Sequence, residues 1–174
     1  MPPVQILLYN PLYDFSQTGI PFDHVDPEYL EKPRKWKVNE IRRFMVFIGP
    51  VSSLFDYATF ALMWFVFKAN SVEHQSLFQT GWFVESLMTQ TLIVHIIRTA
   101  KIPFLQSRAS LAMALVTVCV MGIAIMIPFS PIGAALGMVP LPGLYFAWLA
   151  AILIGYCTLT QLMKSWFVGR YGYN

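Results

Sequence analysis

Apolar residues gather into four long runs, 44–67, 78–97, 110–129 and 142–163, each bounded by polar or Pro/Gly-containing stretches. At about 1.5 Å of rise per helical residue, roughly 20 residues cross a hydrocarbon core of about 30 Å, so each run predicts a membrane-spanning helix. A fifth run, 4–20, is of marginal length and is interrupted by Asn10, Pro11, Asp14, Ser16 and Gln17. The pattern predicts an all-α polytopic membrane helix bundle occupying the whole chain, 1–174, with four clear spans and the marginal N-terminal one, five in total. Between the marginal run and the first clear one, 21–43 is rich in Asp, Glu, Pro, Lys and Arg. It is expected to be a solvated loop leading into a basic helix start at Asn39-Glu-Ile-Arg-Arg. The connection between the last two runs is punctuated by Pro and Gly, which break helices. Gly133 and Gly137 have Gly-x-x-x-Gly spacing, but in a loop context this is expected to be a chance match rather than a helix-pairing face.

Composition agrees with this reading. The 174 residues are 56% hydrophobic and only 12% charged, against about a quarter charged in soluble domains. The expected partner is therefore the lipid bilayer and not nucleic acid. The distribution of charge says more than the net +3. Lys32, Arg34, Lys35, Lys37, Arg42, Arg43, Arg98, Lys101, Arg108, Lys164 and Arg170 all fall on one side of the predicted topology, and Lys68 alone on the other. Basic residues accumulate on the cytoplasmic side of membrane proteins, so the 21–43 loop, the 97–110 connection and the C-terminus are expected to be cytoplasmic. Cys119 and Cys157 both lie inside apolar runs, with no disulfide framework or short-spaced metal cluster. The N-terminus has no basic n-region or small-residue cleavage site, so it is expected to be retained.

Ionisable and strongly polar groups inside a bilayer are costly and require a partner or a function. Those that stand out are Asn10 and Asp14 in the marginal run, Asp56 in the next, and Glu85, Gln90 and His95 in the third. Asn10 and Asp14 are four apart, which places both oxygens on one helix face, and hard cations favour such donors. Pro11 between them disturbs backbone bonding and frees a carbonyl as a further ligand. The same polar, Pro-interrupted stretch also fits a poorly inserted terminus. Asp56 has Ser52, Ser53 and Thr59 nearby, which makes a carboxyl hydrogen-bonded to local hydroxyls the simpler expectation for it. Glu85 and Gln90 are five apart, so one of them at most is expected to face a cavity. His95, beside Arg98, is expected at the interface. Trp64, Phe65, Phe67, Trp82, Phe83, Trp148 and Trp166 are expected as interfacial anchors.

Several chemistries are missing from the sequence. There is no Gly-Lys dipeptide, hence no phosphate-cradling P-loop, and no Asp-Lys, hence no Asp-Lys-Thr-Gly phosphorylation sequence. The chain is not expected to hydrolyse ATP by itself. No hydrolase signature of the Gly-x-Ser-x-Gly or His-Glu-x-x-His type is present.

Several strings together carry a family resemblance: Leu7-Leu-Tyr-Asn-Pro-Leu-Tyr-Asp-Phe-Ser-Gln, Ile20-Pro-Phe-Asp-His-Val-Asp, Lys32-Pro-Arg-Lys-Trp, Arg42-Arg-Phe-Met, Gly49-Pro-Val-Ser-Ser-Leu-Phe-Asp, Leu77-Phe-Gln-Thr-Gly-Trp-Phe-Val-Glu, Thr89-Gln-Thr-Leu-Ile-Val-His-Ile-Ile-Arg-Thr and Leu159-Thr-Gln-Leu-Met-Lys. They resemble transmembrane helices six to ten of bacterial magnesium-importing P-type ATPases, over essentially the whole chain. The resemblance implies that the marginal run is the sixth helix, unwound at its middle and supplying cation ligands, with Asn10 and Asp14 at the matching positions. Gln90 resembles an eighth-helix position that contributes a ligand in some calcium pumps, and Asp56 belongs to a recognisable string without an assigned role. Pro11 departs from the apolar residue, usually Leu, expected there.

The resemblance implies a C-terminal fragment of a pump of the bacterial inner membrane, with Mg²⁺ as the transported ion. ATP would be used only by the full-length enzyme, and the remaining pump domains would be the partners. The alternatives left by the sequence are a free-standing small membrane protein, acting as a regulatory or assembly partner or as a passive cation conductor through Asp14 and Asp56, and the poorly folded product of a truncated gene.

Overall fold

A computed structural model describes residues 1–24, 38–99, 101–103 and 106–171, with backbone alone at 38–41 and 171. Lys32, Arg34, Lys35 and Lys37 of the expected cytoplasmic loop lie outside the described residues. The described residues form helices and connections without a β-sheet, as the apolar runs predict. Helix α1 (Pro3–Gln17) is followed by a 3₁₀ turn (Ile20–Phe22), then α2 (Val38–Ala61), which continues as a π-turn (Leu62–Val66). After a 3₁₀ turn (Val72–His74) come α3 (Gln75–Ile97), α4 (Leu111–Met126) with its 3₁₀ extension (Ile127–Phe129), the short α5 (Pro131–Ala135) and α6 (Gly143–Tyr171).

Local sequence explains where the helices start and stop. Ser110 caps α4 by accepting from the Met113 N–H at 3.2 Å, and Ser130 caps α5 by accepting from the Gly133 N–H at 3.1 Å. Pro3 and Pro131 stand in the first turns of α1 and α5, where a missing N–H costs nothing. The α2 π-turn ends on Lys68 at φ +51°, after which the Ala69 N–H returns to the Met63 carbonyl at 2.9 Å. Gly133 belongs to the capped α5 turn, and Gly137 takes φ +73° just after it, so their spacing serves a turn and not a helix-pairing face.

Among the described residues, three helical stretches are long and apolar enough to cross a membrane: Arg42–Val66, Leu111–Phe129 and Gly143–Arg170. The expected 78–97 span coincides with the 23-residue helix α3, but α3 is too polar to be among them. Its position explains this composition. Helix α3 is the centre of the bundle, with α1, α2, α4 and α6 all packed on it. Much of its polar surface is turned inward, and Thr80, Thr89 and Thr91 satisfy their hydroxyls on carbonyls of the preceding turn. The marginal run forms only a 15-residue α1, about 22 Å long at helical rise.

The core lies around α3. Met63, Phe83, Val84, Leu87, Val120, Ala124 and Tyr145 are buried there. Two sequence expectations change as a result. Phe83 is a fully buried core residue and not an interfacial anchor, while Trp64, Phe65, Trp148 and Trp166 remain exposed. His95 is buried between α3 and α4, its Nε2 within 2.7 Å of the Thr117 hydroxyl, because helix packing reaches to the end of α3.

Candidate cation site

Helix α1 presents two unlike faces. Gln5, Leu8, Tyr9, Leu12, Tyr13 and Ser16 recur at three- and four-residue spacing and form the packed face. Gln5 donates to the Leu136 carbonyl at 3.2 Å. The Tyr9 hydroxyl meets Ser86 of α3 at 3.1–3.2 Å, and its ring sits edge-on to Phe83 at 5.9 Å. The opposite face carries Leu7, Asn10, Pro11 and Asp14, all exposed, Leu7 by 72%. The structure thus places Asn10 and Asp14 side by side, one turn apart, on a surface that none of the other described helices covers.

The expected unwinding at the middle of this helix is absent. The helix runs unbroken through Pro11, because packing of Tyr9, Leu12 and Tyr13 on α3 and α4 holds its course. Pro11 still removes the N–H that the Leu7 carbonyl would otherwise accept from, leaving that oxygen without its intrahelical donor on the Asn10–Asp14 side.

The end of α1 is pinned by a polar cluster. Asp23, just past the 3₁₀ turn, accepts from the Ser110 N–H at 2.7 Å through Oδ1 and from Arg98 Nη1 at 2.6 Å through Oδ2. Arg98 Nη2 also donates to the Ser107 hydroxyl at 3.1 Å. Burial of Asp23 opposes its charge, but these donors outweigh burial and hold its carboxyl below the usual carboxylate range. Gly19 allows the close approach. A Cβ there would lie 2.7 Å from the Met113 Cα of α4. On the far side of α3, the buried Lys164 of α6 donates to the carbonyls of Ile96, Thr99 and Lys101 at 2.9, 3.2 and 3.0 Å, where the negative end of the α3 dipole favours a cation.

The remaining sequence candidates fall elsewhere. Gln90 is half-buried on α3. Asp56 is half-buried on α2 and accepts from Trp82 Nε1 of α3 at 3.0 Å, so its partner is a neighbouring helix and not the local hydroxyls. Ser52 pairs instead with the Tyr156 hydroxyl at 3.2 Å. Sequence reasoning left Glu85 out of the site, yet the structure buries it at 1% exposure near Asp56. A mid-helix acid within an apolar run was the available signal. Among the described residues no three His, Cys, Asp or Glu gather into a metal-holding group.

The family described as cation transporting ATPase, C-terminus, matches residues 1–166. A magnesium-transporting ATPase, P-type 1, of Salmonella typhimurium strain LT2 is 55% identical over 169 residues, 97% of this chain. The protein of the same description from Escherichia coli strain K12 is 54% identical over 174 residues, 100% of this chain. The chain spans 19% of the length of each of these relatives. The match over nearly the whole chain shows that it belongs to the cation-transporting P-type ATPases and is homologous to the C-terminal membrane region of their magnesium-transporting members.

Proposed function

We propose that this chain forms the C-terminal membrane region of a Mg²⁺-importing P-type pump of a bacterial inner membrane, and that Asn10 and Asp14 supply ligands to the transported ion. The supporting observation is the exposed placement of both residues on α1, opposite its packed face. An amide and a carboxylate turned to hydrocarbon each cost several kcal/mol, so this face requires a protein or aqueous neighbour. In the pump, the remaining transmembrane helices lie against it and complete the oxygen set, since Mg²⁺ demands near-octahedral coordination that two side chains cannot meet. The Leu7 carbonyl is a third oxygen on this side, and Gln90 and Asp56 rank behind it.

In this reading α1, α2, α3, α4 and α6 are five crossings, α3 tolerating its polarity because it is enclosed by the others. The eleven basic residues assigned to one side put the C-terminus in the cytoplasm. The energy comes from ATP through other domains of the pump, and the chain's own part is to hold α1 in place and offer its open face to the ion. The test is Mg²⁺ uptake by a complete pump carrying this region, in cells deprived of other magnesium transporters. Asp14→Asn and Asn10→Ala abolish or strongly reduce uptake while the pump remains in the membrane at normal level. Undiminished uptake by both variants refutes the assignment.

A further inference from the structure

Helices α1 and α3 run side by side in the same direction, and polar bonds tie them at two heights. The Tyr9 hydroxyl reaches Ser86, 77 residues further along the chain, and the Asp23 carboxyl reaches Arg98, 75 residues further along, so the offset between the two segments is nearly constant. Between these ties Leu12 and Tyr13 supply apolar packing. Apolar contact is non-directional and lets one helix slide or turn on another, whereas a hydrogen bond fixes a height. The Tyr9 tie is built as a grip. Tyr9 donates to the Ser86 carbonyl at 3.2 Å, and its oxygen lies 3.1 Å from the Ser86 hydroxyl, which is placed to donate to it. The tyrosine ring stands edge-on at 5.9 Å to the fully buried Phe83, on the preceding turn of α3.

Pro11 lies between the two ties. It removes the N–H that would bond the Leu7 carbonyl, so α1 is weakest there. Asn10 belongs to the half that Tyr9 holds, and Asp14 to the half that leads into the Asp23 cluster. The separation of their oxygens therefore depends on how the two halves are set about Pro11. Gln5 also holds the first half, through the Leu136 carbonyl at 3.2 Å, but it does so more than one turn away from Asn10. From this geometry we propose that Tyr9 is a positioning residue, whose bond to Ser86 sets Asn10 against Asp14 for the ion. The inference rests on the ion-site assignment proposed above and adds to it a residue that points away from the ion. Groups that orient ligands act on affinity, so the loss of this one weakens ion binding and leaves turnover of the loaded pump intact.

The test is the initial rate of Mg²⁺ uptake against external Mg²⁺, by a complete pump carrying this region in cells deprived of other magnesium transporters. Tyr9→Phe deletes only the hydroxyl. It raises the half-saturating Mg²⁺ concentration about two- to tenfold and leaves the maximal rate per pump unchanged. Ser86→Ala removes one side of the grip and raises half-saturation less, and the double variant is no worse than Tyr9→Phe alone. Hydrogen exchange of the purified pump in lipid nanodiscs supplies a second readout. In Tyr9→Phe the α1 amides before Pro11 exchange faster, while those of Phe22 and Asp23 do not change. A lower maximal rate with unaltered half-saturation marks Tyr9 as a packing residue and overturns the inference, as do unaltered exchange before Pro11 or additive effects of the two substitutions. If Tyr9→Phe fails to reach the membrane, Ser86→Ala decides by the same split. Intact uptake in both Asp14→Asn and Asn10→Ala refutes the ion-site assignment and this inference with it. Uptake abolished by those two, with half-saturation untouched by Tyr9→Phe, overturns the positioning role alone.

Discussion

Replacing Asp23 with Asn separates charge from shape in the cluster that pins α1. The amide keeps an oxygen to accept the Ser110 N–H, held at 2.7 Å in the wild type, but loses the 2.6 Å ion pair with Arg98. The two side chains are 9% and 11% exposed, so the guanidinium keeps little water to compensate. Breaking a fully buried pair from one side costs about 3–5 kcal/mol, and an exposed pair contributes less than about 1. The Arg98–Asp23 pair is nearly buried, but Arg98 keeps its bond to Ser107 and the amide keeps the Ser110 bond, so the cost falls between, at about 2 kcal/mol. The assay is denaturant unfolding of the chain in maltoside micelles, wild type against Asp23→Asn, across pH. Asp23 titrates below its usual value in the folded state, so its contribution is complete above the unfolded pKa of about 3.9 and is lost as pH falls through the lower folded pKa. The stability gap should therefore be full at neutral pH and close toward zero in acid, where the wild type itself becomes uncharged at this position. A gap that stays constant from about pH 7 to about pH 3, or no gap at neutral pH, refutes the reasoning.

Two further substitutions probe how the bundle is held. Lys164→Met strips the ammonium from three carbonyls at the end of α3 and should lower stability by about 2–3 kcal/mol in the same unfolding assay, given that bonds to one charge are not additive. Gly19→Ala drives a methyl toward the Met113 backbone and should cost about 1–3 kcal/mol as α1 is pushed off α4. A cysteine pair engineered across that contact should cross-link more slowly in the alanine variant, and equal rates would show that the close approach is dispensable.

The sequence determined the class of the protein and much of its candidate site. Long apolar runs with few charges admit only membrane helices, because backbone groups in hydrocarbon must be satisfied within the segment. The i, i+4 spacing put Asn10 and Asp14 on one helical face before any contact was known. Tertiary structure decided which face that was. The packed stripe from Gln5 to Ser16 turns the pair outward, and the same packing carries the helix unbroken through Pro11, where local chemistry suggested unwinding. It also decided that α3 sits at the centre, so that Phe83, Glu85 and His95 are interior, and that Asp56 meets Trp82 of a neighbouring helix. A local pattern records which faces of one helix are polar. It holds no record of which neighbour arrives to cover them, because that depends on how all the helices share the limited interior surface at once.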